Sequence, residues 1–159
     1  MLGEISLFRY DSPLGPIGLA LQGDLCHRLY LKAVDAPACS PDHPVAVWLR
    51  AYFSGHALPK VPAAPPRTPF QARLREVLLA VPVGQVRTYG ELAEELGSGA
   101  RAVGQALGAN PVPILVPCHR VLAARDLGGF GAGMAWKKRL LAYEGVILQQ
   151  TLRRSDRRR

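Results

Sequence analysis

The first third of the chain carries its apolar residues in short runs broken by turn formers. Ile5 to Tyr10, Ile17 to Leu21 and Leu25 to Leu31 read as three strands. Pro13-Leu14-Gly15-Pro16 and Gly23-Asp24 separate them and are hairpin signals. From Pro44 to Phe53 the spacing changes to a helical period, with proline in the first turn and Gly55 past the end. Strands followed by a helix predict a small α+β domain over residues 1–55 that holds no reactive cluster.

Residues 56–69 contain five prolines, at 59, 62, 65, 66 and 69. Such a stretch is extended and of polyproline II character, so residues 56–67 form a linker. A second domain is expected over 68–148 and a basic tail over 149–159.

Helical periods govern that second domain. Thr68-Pro69-Phe70-Gln71 supplies an N-cap, a first-turn proline and a capping glutamine. Phe70, Leu74, Val77 and Leu78 form its apolar face, and Pro82 with Gly84 ends it. Thr88-Tyr89-Gly90-Glu91 is a second capping box, opening a helix that stops at Gly97. Ser98 is positioned to cap the next helix, Gly99 to Gly108, and so short a break is the spacing of a helix-turn-helix. The last helix is expected from Gly133 to Glu144. Trp136, Leu140, Leu141 and Tyr143 would face the core, and Lys137, Lys138 and Arg139 the solvent. Before it lies the glycine-rich run Ala124 to Gly133, a loop whose backbone can approach a ligand closely.

The helix Gly99 to Gly108 is unusual. Val103 and Leu107 face inward, whereas Ala100, Ala102, Gly104 and Gln105 leave the other face nearly bare. Readers of the major groove need long polar side chains there. A bare face instead allows close backbone approach in a shallow groove, without sequence readout. Arg101 stands in the first turn, where the helix dipole disfavours a cation, so a ligand accounts for it better than the helix does.

Composition narrows the classes further. The chain has 159 residues, 48% of them apolar, and a formal charge of +8. Residues 153–159 contribute five arginines and one aspartate, half of that excess. A basic balance favours a polyanion such as nucleic acid. No apolar run approaches a membrane span, and the first residues lack a signal-peptide pattern, so no membrane partner is expected. Three cysteines do not make a disulfide framework, and a reducing, cytoplasmic location is expected. Cys26-His27 and Cys39 with His43 lack the tight spacing of structural zinc ligands, so no metal is expected.

Chemistry concentrates in Asn110-Pro111-Val112-Pro113-Ile114-Leu115-Val116-Pro117-Cys118-His119-Arg120-Val121. Ile114 to Val116 reads as a short buried strand boxed by prolines, which forbid an ordinary central strand. The frame aims one side chain, Cys118. Adjacent side chains alternate across a strand, so His119 is expected to reach the thiol through a water rather than directly. That arrangement is wrong for a cysteine hydrolase.

This stretch resembles the active-site signature of the O6-alkylguanine-DNA alkyltransferases, and the likeness runs from about Thr68 to Gly145. Asp11-Ser12-Pro13-Leu14-Gly15 is similar to the family's N-terminal domain. The resemblance implies a protein that takes an alkyl group from O6 of guanine onto its own cysteine, once per molecule and without cofactor. It implies Cys118 as nucleophile, His119 as base through a water, and Glu144 orienting the imidazole. It implies that Tyr89 crowds the phosphate behind a flipped base and supplies the proton for the leaving oxygen. Arg101 would fill the gap in the duplex after entry through the minor groove. Asn110 would tie the recognition helix to the active-site turn, with Ala100, Ala102 and Gly104 against DNA. The neighbourhood of Val121 and the loop at Phe130 and Gly131 would line the base pocket. Some members hold zinc in the N-terminal domain, but its ligands find no one-to-one match here. The implied partner is double-stranded DNA containing O6-alkylguanine, met by a monomer.

Two positions depart from the family pattern: Phe130 stands where tyrosine is frequent, and Ala132 where glycine is common. Relatives that bind alkylated bases without repair carry another residue at the cysteine, so Cys118 argues against that alternative. The bare face of the second helix argues against a sequence-reading transcription factor.

Overall fold

The computed structural model describes residues 3–124, 126–130 and 133–147. Three antiparallel strands come first: β1 (Ser6–Ser12), β2 (Gly15–Gln22) and β3 (Leu25–Tyr30), ordered β1-β2-β3. Ser12 closes the first hairpin, its Oγ accepting from the Leu14 and Gly15 amides and donating to the Gly15 carbonyl. Gly23, at φ 55°, makes the second turn. Helix α1 (Pro44–Phe53) buries Val45, Trp48, Leu49 and Tyr52. With Ile17, Leu19, Leu21 and Cys26 these are the core residues of the first unit. Within the proline-rich stretch Ala63 bridges Cys26, through Cys26 N–H to Pro62 carbonyl and Ala64 N–H to Cys26 carbonyl.

Contacts divide the chain into two compact units, 1–65 with Pro111–Leu115, and Pro66–Asn110 with Val116 onward. Up to residue 65 the chain holds five basic and five acidic side chains, and 111–115 holds none, so the whole excess of +8 belongs to the second unit.

That second unit contains α2 (Pro69–Leu79), β4 (Arg87–Thr88), α3 (Tyr89–Leu96), α4 (Ala100–Gly108), a 3-10 turn (Cys118–Arg120), β5 (Val121–Leu122) and α5 (Met134–Tyr143). Together with the sheet of the first unit this is an α+β fold. The two capping threonines act as expected: Thr68 Oγ1 accepts from Gln71 N–H and Thr88 Oγ1 from Glu91 N–H. Gly97 ends α3 at φ 63°, the left-handed position where a side chain is strained. Ser98 does not cap α4; Gly99 holds the N-cap position without a side-chain bond. From α2, Gln71 Nε2 donates to the Ala106 carbonyl of α4 and an Arg73 nitrogen to the Leu96 carbonyl of α3. These bonds fix the helix pair from behind.

Three further sequence expectations are corrected. Ile114 and Leu115 form a turn between the bridge residues Pro113 and Val116, not a strand, with Ile114 at φ 71°. The flanking prolines remove ladder donors, so the bridge does not extend into a strand. The β-structure lies instead at β5, which runs parallel to β4 through Arg87–Val121 and Thr88–Leu122. On α5, Lys137 is fully buried rather than solvated, and Tyr143 is 38% exposed rather than core.

Thr88 starts the helix that carries Tyr89, so its cap can be tested alone. Thr88→Ala removes one N-cap bond and should lower stability by about 1 kcal/mol. A urea-denaturation midpoint unchanged from wild type would refute that role.

Candidate active site

The chain enters the site through an inverse γ-turn. Pro117, at φ −81° and ψ 65°, is its central residue, and Cys118 N–H bonds back to the Val116 carbonyl at 2.8 Å. Proline suits this place because its ring already fixes φ near that value. Cys118, His119 and Arg120 follow as one 3-10 turn, all buried. Three residues per turn send consecutive side chains in three directions. The expected separation of thiol and imidazole therefore has a helical cause and not strand alternation. No hydrogen bond joins Cys118 to His119 among the described residues.

His119 and Arg120 converge on one carboxylate. Glu144, at the C-cap of α5, accepts from His119 Nε2 at 2.6 Å. Arg120 forks onto the same carboxylate, Nε to Oε1 at 2.7 Å and Nη2 to Oε2 at 3.0 Å. Its remaining nitrogen, Nη1, donates to the Val81 carbonyl at 2.8 Å. The Glu144 and His119 side chains are wholly enclosed. Burial raises the Glu144 carboxyl, but hydrogen bonds from His119 and Arg120 and their charges win, taking it down to about 2. Since Glu144 is an acceptor only, Nε2 of His119 carries the proton. The other ring nitrogen, Nδ1, is buried and unpartnered. Burial lowers the His119 pKa, Glu144 raises it, and Arg120 and Lys137 lower it again. The balance leaves a neutral imidazole with a free lone pair.

Burial pushes the Cys118 thiol up, while a hydrogen bond from the Asn110 side chain and the charge of Lys137 pull it back. Asn110 follows α4 and also donates through Nδ2 to the Val116 carbonyl at 3.0 Å. One amide thus links the end of α4 with both sides of Pro117. The thiol stays above its ordinary range, so a base must take its proton before it attacks.

Lys137 was missed by the sequence reading. Its ammonium donates to the Val121 carbonyl at 2.8 Å and to the Gly129 carbonyl at 3.0 Å. Burial is the main reason that it falls to about 8, opposed by Cys118 and Asp126. The signal was present, because Lys137 shares a helical stripe with Leu140 and Leu141. The second missed residue is Gly128, at φ 69°. A Cβ there would lie 2.6 Å from Cε2 of Tyr89. The Tyr89 hydroxyl donates towards the Gly129 carbonyl at 3.5 Å, a long contact. Burial raises the Tyr89 hydroxyl, so it remains a phenol that can donate.

Arg101, Ala100 and Ala102 are exposed on α4, and Gly104 is half-buried, so the bare face is open. Arg101 has no hydrogen bond or ion pair among the described residues, unlike Arg87, which Glu91 and Glu95 hold. Phe130 is half-buried in the loop before α5. Gly131, Ala132, Arg125 and the tail 149–159 lie outside the described residues. Cys26 is a core thiol raised by burial to about 12, and hence inert at neutral pH. Among the described residues no three His, Cys, Asp or Glu side chains cluster as metal ligands, and no helix is long and apolar enough to cross a membrane.

Residues 69–146 match the family model described as 6-O-methylguanine DNA methyltransferase, DNA binding domain. The methylated-DNA–protein-cysteine methyltransferase of Shigella flexneri is 45% identical over 105 residues, covering 63% of this chain and 61% of that protein. Its counterpart in Mycobacterium tuberculosis (strain H37Rv) is 41% identical over 147 residues, covering 84% and 88%. The crystal structure of Mycobacterium tuberculosis O6-methylguanine methyltransferase superposes with TM-score 0.74 at 37% identity, over 88% of this chain and 92% of that one. Mycobacterium tuberculosis OGT in complex with DNA gives TM-score 0.74 at 38% identity, over 92% and 98%.

The depressed Glu144 carboxyl sets an acid limit to stability. A carboxylate whose folded pKa is lowered contributes fully above its unfolded value, near 4.5, and loses that contribution as pH falls towards about 2. In urea titrations the wild type should lose on the order of 3 kcal/mol across that window through this group. Glu144→Gln should lack that part of the slope; an unaltered slope would show that another group sets it.

Proposed function

The chain belongs to the methylated-DNA–protein-cysteine methyltransferase family, and on that premise we propose that it repairs O6-alkylguanine in double-stranded DNA by moving the alkyl group onto Cys118. The observation that carries this reading is the buried set Cys118, His119 and Glu144 with the half-buried Asn110 beside it, in which a protonated thiol stands in the same turn as an imidazole with one free, buried nitrogen.

The chemistry is displacement at a saturated carbon. A water between Cys118 Sγ and His119 Nδ1 passes the thiol proton to the imidazole. The thiolate attacks the alkyl carbon, forming a C–S bond as the C–O6 bond breaks and guanine leaves with the electron pair. Tyr89, whose hydroxyl points towards the loop at Gly129, donates to the leaving base, and the proton held on His119 restores the balance. The products are a thioether and ordinary guanine. Among the described residues of the second unit no resolving thiol or hydrolytic group stands by to regenerate the cysteine, so the reaction is a single turnover.

Reaching O6 requires that the base leave the stack, at a cost of a few kcal/mol. The open, small-residue face of α4 fits a minor groove, with Arg101 free to enter the duplex. Phosphate contacts by a unit of charge +8 make binding salt-dependent and insensitive to sequence. Val121 and the loop carrying Phe130 lie on the side of the site held by Lys137, where they line the place for the base.

Titration with excess O6-methylguanine duplex, followed by peptide mapping, tests the transfer. One equivalent of methyl should appear on Cys118 and none on Cys26 or Cys39. Continued product formation past one equivalent, or mass on another cysteine, overturns the assignment.

The role of Arg101 separates from the chemistry. Arg101→Ala should slow repair of duplex DNA at least about tenfold more than dealkylation of free O6-benzylguanine, because only the duplex leaves a gap to fill. Equal losses on both substrates would make Arg101 structural.

A further inference from the structure

Arg120 takes no step in the transfer just described, yet its guanidinium is enclosed and all three of its nitrogens are committed. We propose that Arg120 is a positioning residue for the repair reaction: by forking onto Glu144 it keeps His119 neutral and leaves Nδ1 open to receive the Cys118 proton. This rests on the alkyl-transfer reading for its purpose, but not for its geometry.

The argument begins with charge. Glu144 and Arg120 together are a complete ion pair, so a neutral imidazole completes a buried group of zero net charge. An imidazolium would add an unbalanced charge in a place closed to water, which is costly. Without Arg120 the carboxylate would lose that cation while still lying 2.6 Å from Nε2 of His119. It would then favour a second proton on the ring, and the relay base would already be occupied. The same oxygen, Oε2, accepts from both His119 and Arg120, so the fork also fixes where that oxygen sits. The bond from Nη1 to Val81 holds the guanidinium plane against rotation.

The groups that face His119 are few. Glu144 and Lys137 approach from α5 and its C-cap, and Arg120 from the turn itself. Burial is the largest influence that lowers the imidazole, Glu144 opposes it, and Arg120 and Lys137 both add to the lowering. Removing Arg120 therefore raises His119, and the acid limb of activity moves to higher pH. Lysine keeps the charge at this position but not the planar fork. The proton balance is unchanged by the proposal: one proton passes from Cys118 to His119 through water, leaving a thiolate and an imidazolium only at the moment of transfer.

The test is the ring-nitrogen NMR titration of His119 in wild type, Arg120→Met and Arg120→Lys, from about pH 5 to about pH 9. The wild type should show the neutral ring protonated at Nε2 at pH near 7. Arg120→Met should titrate higher by about one unit or more, and Arg120→Lys should recover at least about half of that shift. The acid limb of methyl transfer from O6-methylguanine duplex should move with it. Identical titrations in wild type and Arg120→Met, with only a smaller folded fraction, would reduce Arg120 to a structural residue. Should Arg120→Met fail to fold, the wild-type spectrum still decides, since an imidazolium near pH 7 overturns the proposal. Wild type that shows the neutral ring but transfers no alkyl group would defeat the proposed function and leave the charge assignment standing.

Discussion

Glu144 is a carboxylate removed from water, and the arrangement around Cys118 depends on it. A buried charge survives only when it is paired and its oxygens are satisfied. Here the donors come from two consecutive residues of the turn that begins with the cysteine. The 3-10 geometry makes this possible, since neighbouring side chains diverge enough to reach both oxygens. The same bonds select one tautomer of His119 and tie the turn to the end of α5. The stability of the turn and the state of the imidazole therefore share a residue, and acid that protonates Glu144 loosens both.

A second constraint lies on the other side of the thiol. Lys137 is buried with no carboxylate at salt-bridge distance among the described residues, a costly state for an ammonium. Two carbonyls, those of Val121 and Gly129, satisfy it instead. It thereby draws the loop before α5 onto β5 and places a positive charge near the thiol. Gly128 allows the ring of Tyr89 to lie against that loop, at a φ that side chains rarely adopt and a distance at which a Cβ would force the ring to shift. The cation, the loop and the tyrosine form one packed assembly, in which the carbonyl of Gly129 serves two donors.

Helix α4 shows the opposite logic. Its inner face is anchored by Val103, Ala106 and Leu107, and Gln71 of α2 holds the Ala106 carbonyl. Its outer face carries almost nothing besides Arg101. That face is shaped by omission, and the positive charge of the chain is spread through the whole second unit.

Much of this was readable from residue order, because it depends on short-range rules. Capping threonines, hairpin turns, the helix-turn-helix spacing and the proline frame around Cys118 act within a few residues of themselves. The local rules failed where distant residues decide. Ile114 to Val116 looks like a strand, but Ile114 and Leu115 turn between the bridge residues Pro113 and Val116, and Arg87–Thr88 becomes a strand only because Val121–Leu122 lies beside it. Lys137 looks like a solvated lysine until the carbonyls of Val121 and Gly129 surround it. The convergence of His119 and Arg120 on Glu144, 25 and 24 residues away, was implied for His119 by resemblance and invisible for Arg120. Sequence sets the donors, acceptors and local turns; only the packed chain brings them to bonding distance, because a buried charge finds its partner in space and not along the backbone.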